Sequence, residues 1–376
     1  MRHVRRWVRN VVRRIPVVGE SRVLPVLRSW YDRLPGLDRR RKKYARSEAR
    51  RLLKILELGS RRFTVVFDCE VTGLAYGDLL HVLGVARFLE CRGGVVAFVF
   101  VETEGPHFLG EMDQVEIDRF IDDAMEIAKT ILSSDRSSVQ RISPEELVPL
   151  LGAVDRRGIL FAEFTTNRRP YYRDAFNVFN QLMATLDVES RGSVLFGSDD
   201  FEAYVPEALP RSTYITWHCR YSTRWDQGRQ IYDDEFATAY HALRKGFPGR
   251  EIVIISDVVG CRHYAEIATK LDLGGLWFSK DFSSSFLGDC ALIMGSEHFF
   301  CYRGGGILEV PFMSSMSFEI IAPVMNETMW DSRRLGCWQS SSQRWLNVPR
   351  WRSKGELSEL LARGEVLTAP PLGGVR

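Results

Sequence analysis

YITWHCR, from Tyr214 to Arg220, opens with four uncharged β-branched or aromatic residues, the composition of a short buried strand. The run breaks at His218, Cys219 and Arg220. In an extended chain the two-residue period puts that imidazole and that guanidinium on one side. Open α/β sheets bind ligands at the carboxyl ends of their strands, and a guanidinium placed there matches a diphosphate through two parallel bonds. A solvated arginine beside a half-buried histidine is the plainer explanation of the same residues, so the flanking chain has to decide.

Upstream, FTVVFDCEV from Phe63 predicts a strand, and TGLAYGD (Thr72 to Asp78) a turn. LLHVLGVARFLECR has helical periodicity, and GGVVAFVFVE from Gly93 is a second buried strand. Strand, glycine turn, helix and strand in that order make the opening βαβ unit of a parallel, doubly wound sheet. Gly73 and Gly77 would let a ligand approach the helix amino end, although the turn has neither common phosphate-loop spacing. Val115 to Ile131 carry an amphipathic helix within 115–133, SPEEL at Ser143 a helix start with an early proline, and GILFAEF from Gly158 a further strand. NRRPYY (Asn167 to Tyr172) reads as a loop before a helix over 174–186.

SDDFEAYVPEALPR, from Ser198 to Arg211, gathers acidic residues, Pro206 and Pro210, and suits a boundary between lobes. The α/β rhythm then repeats. A helix is predicted over 232–245, a strand at EIVIISDV from Glu251, a helix over 264–271, a short strand over 274–278 and a polar connection over 281–287. CALIMGSEHFFCYRGGGILEV follows from Cys290 as helix, strand and glycine turn, MSFEIIAPV from Met316 as either helix or strand, and GELSELLARGE as a last helix. Trp330, Trp338, Trp345 and Trp351 cluster near the end, where they suit either sugar stacking or packing of the terminal segment. The organisation expected is a basic helical extension over 1–62, a first Rossmann-like lobe over 63–205 and a second over 206–376.

A whole-chain charge of +3 hides an asymmetry. Residues 1–62 carry 20 Lys or Arg against 5 Asp or Glu, a net of +15, which leaves −12 for the remainder. In MRHVRRWVRNVVRRIP, Val4, Trp7, Val8, Val11, Val12 and Ile15 fall at helical spacing among arginines. That pattern suits an anionic membrane surface, a helical layer on the acidic body, or, less well without a recognition module, nucleic acid. Arginines 5, 6, 9, 13 and 14 interrupt any apolar core a secretory leader would need. Seven cysteines stand singly without a CxxC pair, which favours a reducing compartment over a disulfide framework or a zinc site. A cytoplasmic protein, peripheral at the inner membrane face, is the expectation. Asp199 and Asp200 read as solvated carboxylates rather than metal ligands.

Three pieces in order resemble the fucosyltransferase-like superfamily of GT-B glycosyltransferases, which includes α-1,6-fucosyltransferases and protein O-fucosyltransferases. They are GLAYGDLLHVLGVARFLECRG from Gly73, His218-Cys219-Arg220 with Ser256-Asp257 downstream, and DCALIMGSEHFFCYRGGG from Asp289 to Gly306. The resemblance implies a GT-B type α/β fold, with two Rossmann-like doubly wound lobes facing a cleft. It implies an inverting, metal-independent transferase moving a sugar, fucose being one choice, from a nucleotide diphosphate donor of GDP type to a glycan or other hydroxyl. No cofactor beyond that donor is implied, and no nucleic acid partner. Arg220 would neutralise the leaving β-phosphate and His218 line the same pocket. Ser256 and Asp257 would meet the nucleoside; Gly304, Gly305, Gly306, Ser314 and Ser315 the diphosphate; Glu319 the ribose; Gly77 and Asp78 the facing wall. Asp226 and Asp78 are the candidate general bases. The family motif often continues with Arg and a later Asp, where this chain has Tyr221 and Thr223; Arg224, Asp226 and Arg229 lie slightly further on. A non-catalytic nucleotide- or polyanion-binding protein on the same scaffold would also account for that departure. An NAD enzyme is disfavoured by the missing GxGxxG.

Overall fold

A computed structural model describes residues 37–59, 61–69, 74–103, 113–132, 135–161, 172–207, 209, 213–221, 231–302, 306–314, 316, 318–321 and 350–352. The first 36 residues, three of the four clustered tryptophans and the last expected helix lie outside them. The fold is α/β, built on two separate sheets in which every pairing is parallel.

The first unit runs α1 (Leu37–Glu57), β1 (Arg62–Asp68), α2 (Tyr76–Cys91), β2 (Val95–Val101), α3 (Gln114–Ile131), β3 (Ser137–Ile142), α4 (Pro144–Ala153), β4 (Ile159–Leu160), α5 (Tyr172–Met183) and α6 (Val188–Gly192), with strand order β3-β2-β1-β4. α3 starts where Asp113 accepts the Glu116 amide and Glu116 answers at the Asp113 amide, a closed capping box. Its buried stripe is Ile117, Phe120, Ile121, Ala124, Ile127, Ala128 and Ile131, the 3.6-residue period of a helix laid on a sheet. α4 starts at Ser143 with Pro144 in its first turn, as its sequence predicts.

The second unit runs β5 (Tyr214–His218), α7 (Asp233–Gly246), β6 (Glu251–Ile255), α8 (Val258–Lys270), β7 (Leu276–Phe278), α9 (Ser279–Phe282), α10 (Phe286–Met294), β8 (Phe299–Tyr302), α11 (Glu309–Phe312), β9 (Phe318–Ile321) and β10 (Arg350–Arg352), with order β10-β9-β8-β5-β6-β7. Two Rossmann-like units of this kind are the layout the GT-B resemblance implies. The chain winds outward from β5 through β6 to β7, then returns to the other side of β5 at β8, which makes the β5/β8 boundary the topological switch point of the sheet.

Alternation along β5 sends its side chains into two cores. Ile215, Trp217 and Cys219 join Phe236 and Tyr264 on one face. Tyr214 faces a larger cluster that also takes in the first unit's α2 and α3, together with Leu287, Ile307, Leu308, Val310 and Met313. The two units therefore share a continuous apolar core. α2 packs on the Gly306–Leu308 turn and on α11, and Phe196 donates its amide to the Met313 carbonyl at 2.7 Å.

Several sequence expectations need correction. SSVQRI forms β3, although its half-exposed residues lack apolar alternation; pairing with β2 makes it an edge strand, and Arg141 is held there by Glu102, Asp118 and Asp122. The expected boundary loop is a 3-10 helix over Ser198–Tyr204 with Phe201 buried, packed on α10. Asp200 there meets Arg87 at 2.7 Å and accepts the Gly197 amide, so it is a structural anchor. Residues 281–287 are occupied largely by the ends of α9 and α10, and α8 begins at Val258 rather than Tyr264 because Asp257 caps it. MSFEIIAPV contributes a strand, β9.

Candidate functional site

The switch point gathers the ends of β5, β6 and β8. His218 and Cys301 are register partners on β5 and β8, and the imidazole Nδ1 and the thiol share a hydrogen bond at 3.4 Å. His218 is buried. Burial first, and then the Arg220 charge, push its pKa down to about 3, so at neutral pH the ring is uncharged. Arg220 follows, half-buried, two residues beyond.

The backbone around Arg220 is fixed from the neighbouring strand and helix. Tyr264 on α8 donates its hydroxyl to the Arg220 carbonyl at 2.8 Å, and Ser256 donates to the Cys219 carbonyl at 2.7 Å. Tyr264 is itself held by an aromatic ladder: Trp217 stacks on Phe236 at 4.8 Å, and Phe236 on Tyr264 at 5.1 Å. Tyr221 stacks on His263 at 4.0 Å, closing the same corner. Ser256 is a residue the sequence pointed to; Phe236, His263 and Tyr264 are not, because they lie 18 to 46 residues beyond β5's end and only the sheet brings them there.

Asp257, exposed at the end of β6, accepts the Gly260 amide at 2.6 Å as the cap of α8. A Cβ on Gly260 would run into the Ser256 hydroxyl, so glycine is what lets the first turn of α8 close over the strand end. Behind Asp257 sits a carboxylate, Asp289, that the sequence marked only as the first residue of the segment running to Gly306. Asp289 lies in the first turn of α10, which Ser285 caps through the Gly288 amide at 3.0 Å. Asp289 is buried, and Lys280 donates to its Oδ2 at 2.6 Å. Burial, partly opposed by Lys280, raises its pKa to about 6.

The first unit meets this edge through the amino end of α2. Tyr76 stacks on Phe286 at 4.2 Å and donates to Asp123 at 2.8 Å. Gly77 is buried and Asp78 half-buried in the first turn. Further along α2, His81 meets Glu309 at 2.7 Å and Gly84 faces Met313. One turn back, this register sends Gly77 and Asp78 toward the Gly306–Leu308 turn after β8.

Of the residues expected at the site, the structure brings His218, Arg220, Ser256 and Asp257 to one sheet edge, with Gly306 opening the turn that follows β8. Asp226, Gly304, Gly305 and Ser315 lie outside the described residues. Ser314 is buried, and its hydroxyl donates to the Pro311 carbonyl and accepts from the Met316 amide; it bridges to Phe196, a place in the joint between units rather than a free phosphate ligand. Glu319 lies within β9, in register with Phe300 and Arg350. Among the described residues no three His, Cys, Asp or Glu side chains converge as metal ligands.

No family profile matches the chain, and no curated protein matches it by sequence. Among solved structures it is loosely similar to the Escherichia coli heptosyltransferase WaaC with ADP, at 12% identity and TM-score 0.41 over 80% of this chain and 97% of that one. A putative UDP-N-acetylglucosamine 2-epimerase from Listeria monocytogenes follows at 9% identity and TM-score 0.40, over 81% and 87%. Arabidopsis thaliana UGT89C1 with UDP-L-rhamnose is similar at 9% and 0.36, over 80% and 89%. These likenesses are distant, and the two parallel sheets define the architecture by themselves.

Proposed function

We propose that the chain is a glycosyltransferase that takes its sugar from a nucleotide diphosphate donor held at the β5/β8 switch point. The observation that carries the reading is Arg220: a cation just beyond the strand end, with its carbonyl bound by Tyr264 and the preceding carbonyl by Ser256. With the backbone held in this way, a guanidinium carried at the strand end would stabilise charge gathering on a departing diphosphate. His218, uncharged beside it, would act as a shape-setting wall and not as a proton donor. The glycine turn that Gly306 ends would cradle the diphosphate with backbone amides, Asp257 would meet the nucleoside, and Gly77 with Asp78 would face them from the first unit.

The reaction in this reading is in-line attack of an acceptor hydroxyl on the anomeric carbon. The C–O bond to the diphosphate breaks as the new glycosidic bond forms, configuration inverts, and the hydroxyl proton passes to a carboxylate, Asp78 or Asp226. A GDP-linked donor, fucose among the sugars, and a glycan or other hydroxyl acceptor are the narrower form of the proposal.

Arg220→Ala and Arg220→Lys test it. Lysine keeps the charge and loses the fork, so both should remove about 2 to 4 kcal/mol of transition-state stabilisation, read as kcat/KM in a donor-turnover assay with GDP- and UDP-sugars. Turnover near wild type in both variants would sink the assignment. Tight nucleotide binding with neither transfer nor slow donor hydrolysis would favour a binding protein on the same scaffold.

A further inference from the structure

α1 presents two unlike faces. Ala45, Ala49, Leu52 and Ile55 are buried against the first unit, and the helix packs on α5. Lys43, Arg46, Arg50 and Lys54 are exposed on the opposite side. Steps of three, four and four residues keep them in one row, about 17 Å long at the helical rise. None of the four forms an ion pair among the described residues, whereas Arg51, on the same helix, is tied to Glu48 and to the carbonyls of Arg157 and Ile159. The helix uses a cation structurally where the body needs one, and among the described residues this row carries no ion pair.

The row does not end with the helix. Arg61 and Arg62 are exposed at the amino end of β1, and Arg156 and Arg157 in the turn that α1 packs against. Among the described residues beside them, Glu57 and Asp155 are exposed carboxylates. Leu58, just beyond the helix, is 68% exposed. Residues 1–36 add 9 Lys or Arg against 2 Asp or Glu, with Trp7 and a valine row at helical spacing. All of this is attached to a body with a net charge of −12 over residues 63–376, on which a cationic row of this length is not a matter of average composition.

We propose that the outward face of α1 is a docking surface for an anionic lipid bilayer. A convex ridge of spaced cations with an exposed leucine at its end meets a plane of acidic headgroups along its whole length. Single-stranded nucleic acid is ordinarily held in a groove floored by stacking aromatics, and the exposed positions of this row include no aromatic residue. The carboxyl end of α1 lies by the amino ends of β1 and β4, where Arg51 holds the carbonyls of Arg157 and Ile159.

The test uses the full chain without nucleotide or sugar, and so stands or falls apart from the transferase reading. Sedimentation with phosphatidylcholine vesicles containing phosphatidylserine should show binding that weakens with added salt and is absent on pure phosphatidylcholine. Replacing all four cations, K43Q/R46Q/R50Q/K54Q, should lower the partition coefficient tenfold or more; the halves K43Q/R46Q and R50Q/K54Q should each give part of that loss. K129Q/K245Q, neutralising exposed cations elsewhere, should change little. Circular dichroism and thermal midpoint, expected unchanged for these exposed positions, separate lost docking from lost folding. Three results would each overturn the proposal: wild-type partition in the quadruple variant, no preference of the wild type for acidic vesicles, or tighter binding to RNA or duplex DNA than to vesicles at equal salt.

Discussion

The imidazole Nε2 of His81 and the carboxylate Oε2 of Glu309 meet at 2.7 Å across 228 residues of chain, each side chain only 3% exposed. One belongs to α2 of the first unit and the other to α11 of the second, inside an otherwise apolar shared core. Removing Glu309 leaves the His81 ring in that core without this partner, and breaking a buried pair costs about 3 to 5 kcal/mol, whereas apolar replacement of both is close to neutral. Glu309→Ala should therefore lower the urea midpoint strongly and His81→Phe with Glu309→Leu much less. A single variant within about 1 kcal/mol of wild type would show that the pair does not fasten the units.

Gly84 sits one turn along α2 from His81, where a Cβ would meet Met313 Cε on one side and the Phe179 ring, 3.1 Å away, on the other. Methionine's end can move and the phenyl ring cannot. Gly84→Ala should thus be mild, while Gly84→Leu should cost about 1 to 3 kcal/mol by overpacking, measured by equilibrium denaturation. Equal midpoints for the leucine variant and wild type would contradict the close approach.

Tyr264→Phe removes the hydroxyl that holds the Arg220 carbonyl and keeps the ring in its stack on Phe236. The loss expected is that of one hydrogen bond, about 0.5 to 1.5 kcal/mol. In the proposed reaction it should lower kcat/KM for the donor several-fold with the thermal midpoint nearly intact. A variant that loses stability and keeps full turnover would make the tyrosine a packing residue only.

Two buried groups pull the acid stability of the protein in opposite directions. Asp289, with its pKa raised to about 6 from 3.8, keeps its proton in the folded state after the unfolded chain has lost it. Its contribution therefore falls as pH rises from about 4 to about 6, by at most roughly 3 kcal/mol. His218, lowered from 6.5 to about 3, takes its proton first in the unfolded chain, so its contribution is lost as pH falls through that window. Asp289→Asn should lose ground against wild type as pH falls from 6 to 4, and His218→Gln should gain ground. Urea midpoints at closely spaced pH values read both, and parallel curves for wild type and Asp289→Asn would refute the carboxyl assignment.

Local chemistry wrote much of the fold into the sequence. Periodicity and caps placed α3 and the start of α4; uncharged β-branched and aromatic runs placed β1, β2, β5 and β6, and their alternation with helices implied parallel sheets. YITWHCR also placed His218 and Arg220 together, because two residues on a strand share a side. β3 was not legible, since an edge strand with half-exposed Ser, Gln and Arg owes its existence to the backbone of β2 and not to an apolar pattern of its own. Only the tertiary structure decided that Tyr264 binds the Arg220 carbonyl, that Asp289 is buried against Lys280, and that His81 reaches Glu309. Those relationships depend on strand order, on β8 returning to the far side of β5, and on two units closing over one core; a distance across a sheet edge has no counterpart in sequence spacing.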